Sequence, residues 1–149
     1  MDYRLLSYTD HSIITFFRRY SEPLSRVAIF VVFFWFGALK VIGASPASSL
    51  VANLLEKTLP FITFNTFIIL FGIFEMIIGL LFLIPKTERV AILFLAIHMV
   101  TTILPLILLP ATTWNGFMVP TLEGQYIIKN LVIIALAFGI AAHLHPIKK

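Results

Sequence analysis

Four apolar stretches, at 27–44, 61–84, 90–109 and 126–142, limit what this chain can become more than any other feature. Each is near the ~20 residues that an α-helix needs to cross a ~30 Å hydrocarbon core. A backbone amide inside lipid has no water to bond, so an open-chain span must satisfy its polar groups within its own helix. Of the 149 residues, 60% are hydrophobic, against the ~45–50% usual in soluble chains. Charged residues make up only 12% and collect between the apolar stretches. The expected fold is therefore an all-α integral membrane four-helix bundle spanning 26–145. An amphipathic interface segment at 1–25 precedes it, and a basic tail at 146–149 follows.

Local punctuation agrees with this reading. Pro23 and Pro60 stand where first helical turns are expected, and Pro85 and Pro146 follow the ends of the second and fourth spans. Basic residues set the direction of insertion. Arg4, Arg18, Arg19, Arg26, Lys86, Arg89, Lys148 and Lys149, eight of the eleven, fall on one side of a four-span topology. Both termini are thus expected in the cytoplasm, with the bundle in a bacterial inner membrane as a multi-pass protein. A cleaved signal peptide fits poorly, because about 26 polar and basic residues precede the first apolar run and Lys40 interrupts it.

Ahead of the first span, Ile13, Ile14, Phe16, Phe17 and Tyr20 lie beside Arg18 and Arg19 in an amphipathic pattern suited to the cytoplasmic interface. Between the first two spans, Leu50, Val51, Leu54 and Leu55 recur at helical spacing, which predicts a short helix on the outer surface. The second outer loop, 110–125, holds Trp114, Phe117 and two prolines, and either folds over the bundle mouth or sits at headgroup level.

Composition also excludes whole classes of function. With no cysteine, the chain forms no disulfide, thiolate metal site or dithiol exchange centre of its own. The net charge of +4 does not signal nucleic acid, because the basic residues form no stripe with stacking aromatics and the 15 Phe lie inside apolar runs.

Ionisable groups at membrane depth cost ~2.5–3.5 kcal/mol each on insertion scales, so Lys40, Glu75, His98 and Lys129 are the informative residues, one per span. His98, Thr101, Thr102 and Pro105 share one helix face. Gly72, Glu75 and Gly79 share another, and Gly37 and Lys40 a third, with the small residues permitting close helix approach. At ~1.5 Å per residue, Glu75 and His98 reach one level near the midplane, with Lys40 ~21 Å above Arg26 and Lys129 near the outer mouth. A Glu75–Lys40 or Glu75–His98 pair is feasible. These groups read either as ion pairs that fix helix register or as a polar pocket open to the outer side. The pocket would be lined by Lys40, Glu75, His98, Thr101, Thr102 and Lys129, and would hold a small ligand, a quinone headgroup, a lipid or a proton path. No metal is expected, because only Glu75 and His98 are placed to bind one and a site needs three or more ligands. His143 and His145 belong to the cytoplasmic end, so a bis-histidine haem is not expected either.

Arg26, the run "FWFGALK" ending at Lys40, "FGIFEMIIGLLFL" from Phe71, "HMVTT" from His98 and "EGQYIIKN" from Glu123 together resemble the DoxX-like superfamily of small four-helix membrane proteins. Within it they look most like the DUF417 branch, with Asn130 standing where that branch has Asp. The resemblance covers nearly all of 26–142. It implies a four-helix membrane bundle whose relatives include quinone-linked subunits of sulfur oxidation and proteins of oxidative-stress responses. It also carries Lys40, Glu75, Lys129 and Asn130 into the polar site.

Three functions are compatible with the sequence. The first is a redox or stress-defence subunit acting through a quinone or a membrane or periplasmic oxidoreductase partner. The second is a small transporter or proton-coupled permease, which needs a homo-oligomer because four helices leave little room for a pathway. The third is an accessory protein that holds partners in the membrane.

Overall fold

A computed structural model of the protein describes residues 3–146, apart from the side chains of 4–6. The expected roles of the Arg4, Lys148 and Lys149 side chains, and most of the basic tail, lie outside the described residues. Helix α1 spans Tyr3–Val41, α2 Ser48–Thr58, α3 Phe64–Leu83, α4 Glu88–Leu108, α5 Pro110–Thr113 and α6 Leu122–Ala142. A short antiparallel hairpin, β1 (Trp114–Gly116) with β2 (Val119–Pro120), leads into α6.

Among the described residues, α1, α3, α4 and α6 are the four helices long and apolar enough to cross a membrane. They form a ring in chain order, α1 against α3, α3 against α4, α4 against α6 and α6 back against α1. Its core joins Ile29 and Phe33 of α1, Ile78 and Phe82 of α3, Ala91, Leu95 and Met99 of α4, and Ala137 and Ile140 of α6. Large apolar side chains such as Trp35, Leu70, Val100 and Leu131 point outward. In water that exposure would be costly; in hydrocarbon it is the solvent-facing surface. The protein is an all-α membrane helical bundle.

Glycine decides how closely α1 and α3 meet. A Cβ at Gly37 would lie 2.5 Å from the Gly72 carbonyl oxygen, and one at Gly72 would lie 2.6 Å from that of Gly37. Only hydrogen fits at this crossing, so the two backbones touch without intervening side chains. The crossing also sets relative height. Four residues of α1 rise beyond Gly37, whereas eight of α3 rise beyond Gly72, so α1 stops roughly 6 Å short of α3. Residues 42–47 and α2 follow at that level, and α2 packs on α3 and α4 with Leu55 buried. The short helix expected from Leu50, Val51, Leu54 and Leu55 is present.

Two prolines do not do what their local context suggests. Pro23 was expected to open the first span, but α1 continues through it from Tyr3, with Pro23 inside the helix. Proline there removes one backbone bond, to the Arg19 carbonyl, which an interfacial position can leave to water. Pro60 was expected in the first turn of the second span, but α3 starts at Phe64 and Pro60 belongs to the turn before it. The loop expected at 110–125 is replaced by α5, the hairpin and the first turns of α6. Trp114 folds back and donates its indole N–H to the Leu106 carbonyl at 3.0 Å, while Phe117 is 96% exposed.

At the opposite rim, Arg26 ties three helices together. Its Nε donates to the Phe82 carbonyl at 2.7 Å, Nη2 to the Ile84 carbonyl at 3.1 Å and Nη1 to Glu88 Oε1 at 2.8 Å. The carbonyls at the end of α3 have no intrahelical donors left, so the guanidinium supplies them. Thr87 completes the turn, with its hydroxyl 2.6 Å from the Leu81 carbonyl. Arg26→Lys is expected to lower stability by ~2 kcal/mol, because an ammonium cannot present the planar fork that reaches all three acceptors. Thermal unfolding in detergent measures this, and an unchanged midpoint would remove the clamp.

Candidate functional site

Lys40, Glu75 and His98 meet inside the bundle. Lys40 Nζ donates to Glu75 Oε2 at 2.6 Å, and His98 Nε2 lies 2.9 Å from Glu75 Oε1. Each carboxylate oxygen therefore serves one partner. All three residues are buried, at 6%, 5% and 5% exposure. Among the described residues no buried side-chain nitrogen or oxygen lacks a hydrogen-bond partner. Both pairs judged feasible from helix depth are formed at once.

The backbone architecture explains the meeting. The contact between Gly37 and Gly72 places Lys40, in the last turn of α1, beside Glu75, one turn along α3. Because α1 ends early, the Lys40 stem reaches down along α3 with its ammonium 5.7 Å from the Phe71 ring centroid. His98 sits at the middle of α4, ten residues from either end. Its imidazole is stacked on Phe71 at 5.0 Å and 11°, meets Phe33 edge-on at 5.0 Å and has Phe74 at 6.3 Å. Three aromatic rings thus wall the histidine, and the low polarity strengthens every charge interaction inside.

Thr101 and Thr102 continue the line from His98. Thr101 Oγ1 donates to the His98 carbonyl at 2.7 Å. Thr102 Oγ1 lies 2.9 Å from that carbonyl and 3.2 Å from His98 Nδ1. A hydroxyl has a single proton, so Thr102 cannot donate to both. If it donates to Nδ1, the imidazole is neutral and bears its proton on Nε2, toward Glu75. If it donates to the carbonyl, the Thr102 oxygen is free to accept a hydrogen bond from an Nδ1–H. Only a hydroxyl rotation separates these two arrangements of the Thr102 proton.

The fourth span departs from expectation. Lys129 was expected inside the outer mouth with the other ionisable groups, but it is exposed and lies over the Tyr126 ring at 5.1 Å. It follows the buried Ile127 by two residues, a rotation of roughly 200°, which turns it to the opposite face of α6. Asn130 is half-buried on α6. The polar centre is built by α1, α3 and α4, while α6 adds Ala137 and Ile140 to the apolar core. No group of three or more metal-binding side chains is found among the described residues.

The phenylalanines around His98 escaped the sequence reading, which treated them as generic apolar filling. Phe33 and Phe71 each stand four residues before an inward-facing position, Gly37 and Glu75 respectively. That helical repeat places them on the same faces.

Comparison of the chain with protein-family models, with curated proteins and with solved structures found no match. What the coordinates define is the class: a multi-pass helical membrane protein with a closed, ionisable centre.

Proposed function

We propose that this is a DoxX-like subunit of a bacterial cytoplasmic membrane that holds and passes a proton for redox or stress-defence chemistry carried by a quinone or a partner oxidoreductase. The observation that carries the reading is the Thr102 hydroxyl, which lies within hydrogen-bond reach of both the His98 carbonyl and His98 Nδ1. Such an arrangement suits a buried site at mid-membrane that passes a proton by hydroxyl rotation, without rearrangement of its heavy atoms. Ionisable groups are retained at this depth mostly where they move protons, ions or substrates. A quinone takes up protons as it is reduced, and a chain without cysteine leaves the electrons to a partner or to the quinone itself.

The eight basic residues on one side support cytoplasmic termini, in accord with the bonding of Arg26 and Glu88 at that rim. The reading is tested by purifying the protein in mild detergent from quinone-containing membranes and extracting it. Retained quinone is expected, with a several-fold loss in Glu75→Gln and in His98→Ala. If no quinone or companion protein is retained, and cells with either variant resist oxidants as well as the wild type, the reading falls and the centre serves helix register alone.

A further inference from the structure

The N-terminal half of α1 bears on a different surface. Helix α1 is 39 residues long, about 58 Å at 1.5 Å per residue, twice what the hydrocarbon core requires. Arg26 fixes the inner rim through its bonds to Phe82, Ile84 and Glu88. About 35 Å of helix therefore extends past that rim to Tyr3.

The phase of the extension identifies what covers it. Ile13, Phe17, Tyr20 and Leu24 are exposed, as are Val31 and Trp35 within the span. Steps of four, three, four, seven and four residues keep all six within roughly 40° of one line along the helix. In the span that line faces lipid, because Ile29, Phe33 and Lys40, on the opposite side, are buried in the bundle. Below the rim the opposite side carries His11, Thr15, Arg18 and Glu22, all polar. The lipid-facing stripe thus runs unbroken from the membrane interior into the extension, while the bundle-facing stripe changes from apolar to polar at the rim.

Helix α1 is continuous through Pro23 in the structure. From the continuity of the stripe we infer that in a bilayer the helix hinges outward there, so that the extension lies along the cytoplasmic membrane surface with Ile13, Phe17, Tyr20 and Leu24 sunk among the lipids. Direction follows from geometry. When a helix leaving the membrane bends away from its bundle, the face that pointed to lipid becomes the face that points to the membrane. Pro23 stands three residues before Arg26, at the level where the bend must come, and has no amide to bond the Arg19 carbonyl. Arg18 and Arg19 then lie beside anionic headgroups, with the Arg19 guanidinium 5.7 Å from the Tyr20 ring centroid. This inference does not depend on the proton-handling reading.

The absence of cysteine makes the test direct. Single spin labels are placed at Ile13→Cys, Phe17→Cys and Tyr20→Cys, and at Thr15→Cys, Arg18→Cys and Glu22→Cys. The full chain is then reconstituted in phosphatidylcholine vesicles containing phosphatidylglycerol. The first three labels are expected to be several-fold more accessible to dissolved oxygen, and the other three to a water-soluble nickel chelate. A label pair at Tyr8→Cys and Val31→Cys is expected about 25 Å apart for a right-angle turn at Pro23, against about 35 Å for an unbent helix. Equal chelate access at all six positions would overturn the inference, as would the longer distance. Spin–spin broadening in singly labelled Phe17→Cys would do the same, by assigning the face to a second copy of the chain.

Discussion

Glu75→Leu is expected to cost ~3–5 kcal/mol, because it strands the Lys40 ammonium and the His98 imidazole in an apolar interior without their shared acceptor. The double variant Lys40→Met with Glu75→Leu is expected to recover most of that loss, since a buried ion pair exchanged for apolar side chains of similar volume is often neutral or stabilising. Thermal unfolding of the purified protein in detergent measures both. The comparison separates two roles of the same residues. Register alone is restored in the double variant, whereas the retained quinone and oxidant resistance expected of a proton-handling centre stay lost. A single Glu75→Leu variant as stable as the wild type would mean that Lys40 finds another partner, and the triad would lose its structural standing.

The second large effect is expected at the glycine crossing. Gly37→Ala brings a methyl to 2.5 Å from a backbone oxygen and 2.9 Å from Met76 Cγ. The side chain of Met76 can yield but the Gly72 carbonyl cannot, so a cost of ~1–3 kcal/mol is expected, and more for Gly37→Leu. The damage reaches the site as well, since separating α1 from α3 draws Lys40 away from Glu75. Gly139→Ala is the control: nothing lies within 4 Å of its Cβ position, and alanine is expected to be neutral or to stabilise by up to ~1 kcal/mol in mid-helix. If Gly37→Ala and Gly139→Ala unfold at the same temperature, close approach at this crossing is not what holds α1 to α3.

Much of this architecture was legible in the sequence because lipid leaves few choices. Length, hydropathy and the need for internal backbone bonding mark the four spans within a few residues, apart from the N-terminal end of α1. Depth arithmetic brought Glu75 and His98 to one level because helices in a bilayer start near common rims. Lys129 escaped that arithmetic. Depth fixes height and not rotation, and only the inward-facing Gly124 and Ile127 show which way α6 is turned. Pro23 failed as a boundary marker because the rule for a helix start assumes a helix interior closed to water. At a membrane rim the unbonded carbonyl is solvated, and the continuing apolar phase outweighs it. The hairpin at Trp114–Gly116 and Val119–Pro120 gave no period-two pattern, since strands this short are held by their neighbours rather than by alternation.

The ring is unevenly fastened. Ion pairs and hydrogen bonds join α1, α3 and α4 through Glu75 and again through Arg26. Helix α6 is tied at its ends. Thr121 donates to the Thr112 carbonyl at 2.8 Å at its N-terminal end, and Arg89 bonds the His145 carbonyl just past its C-terminal end. Between them it rests on its neighbours through Ile127, Ala137 and Ile140, and only 17% of its span is buried, half the share of α3 at 33%. Helix α6 is thus a wall pinned top and bottom and leaning in between, whereas the other three helices are riveted to one another at mid-height as well, through Glu75.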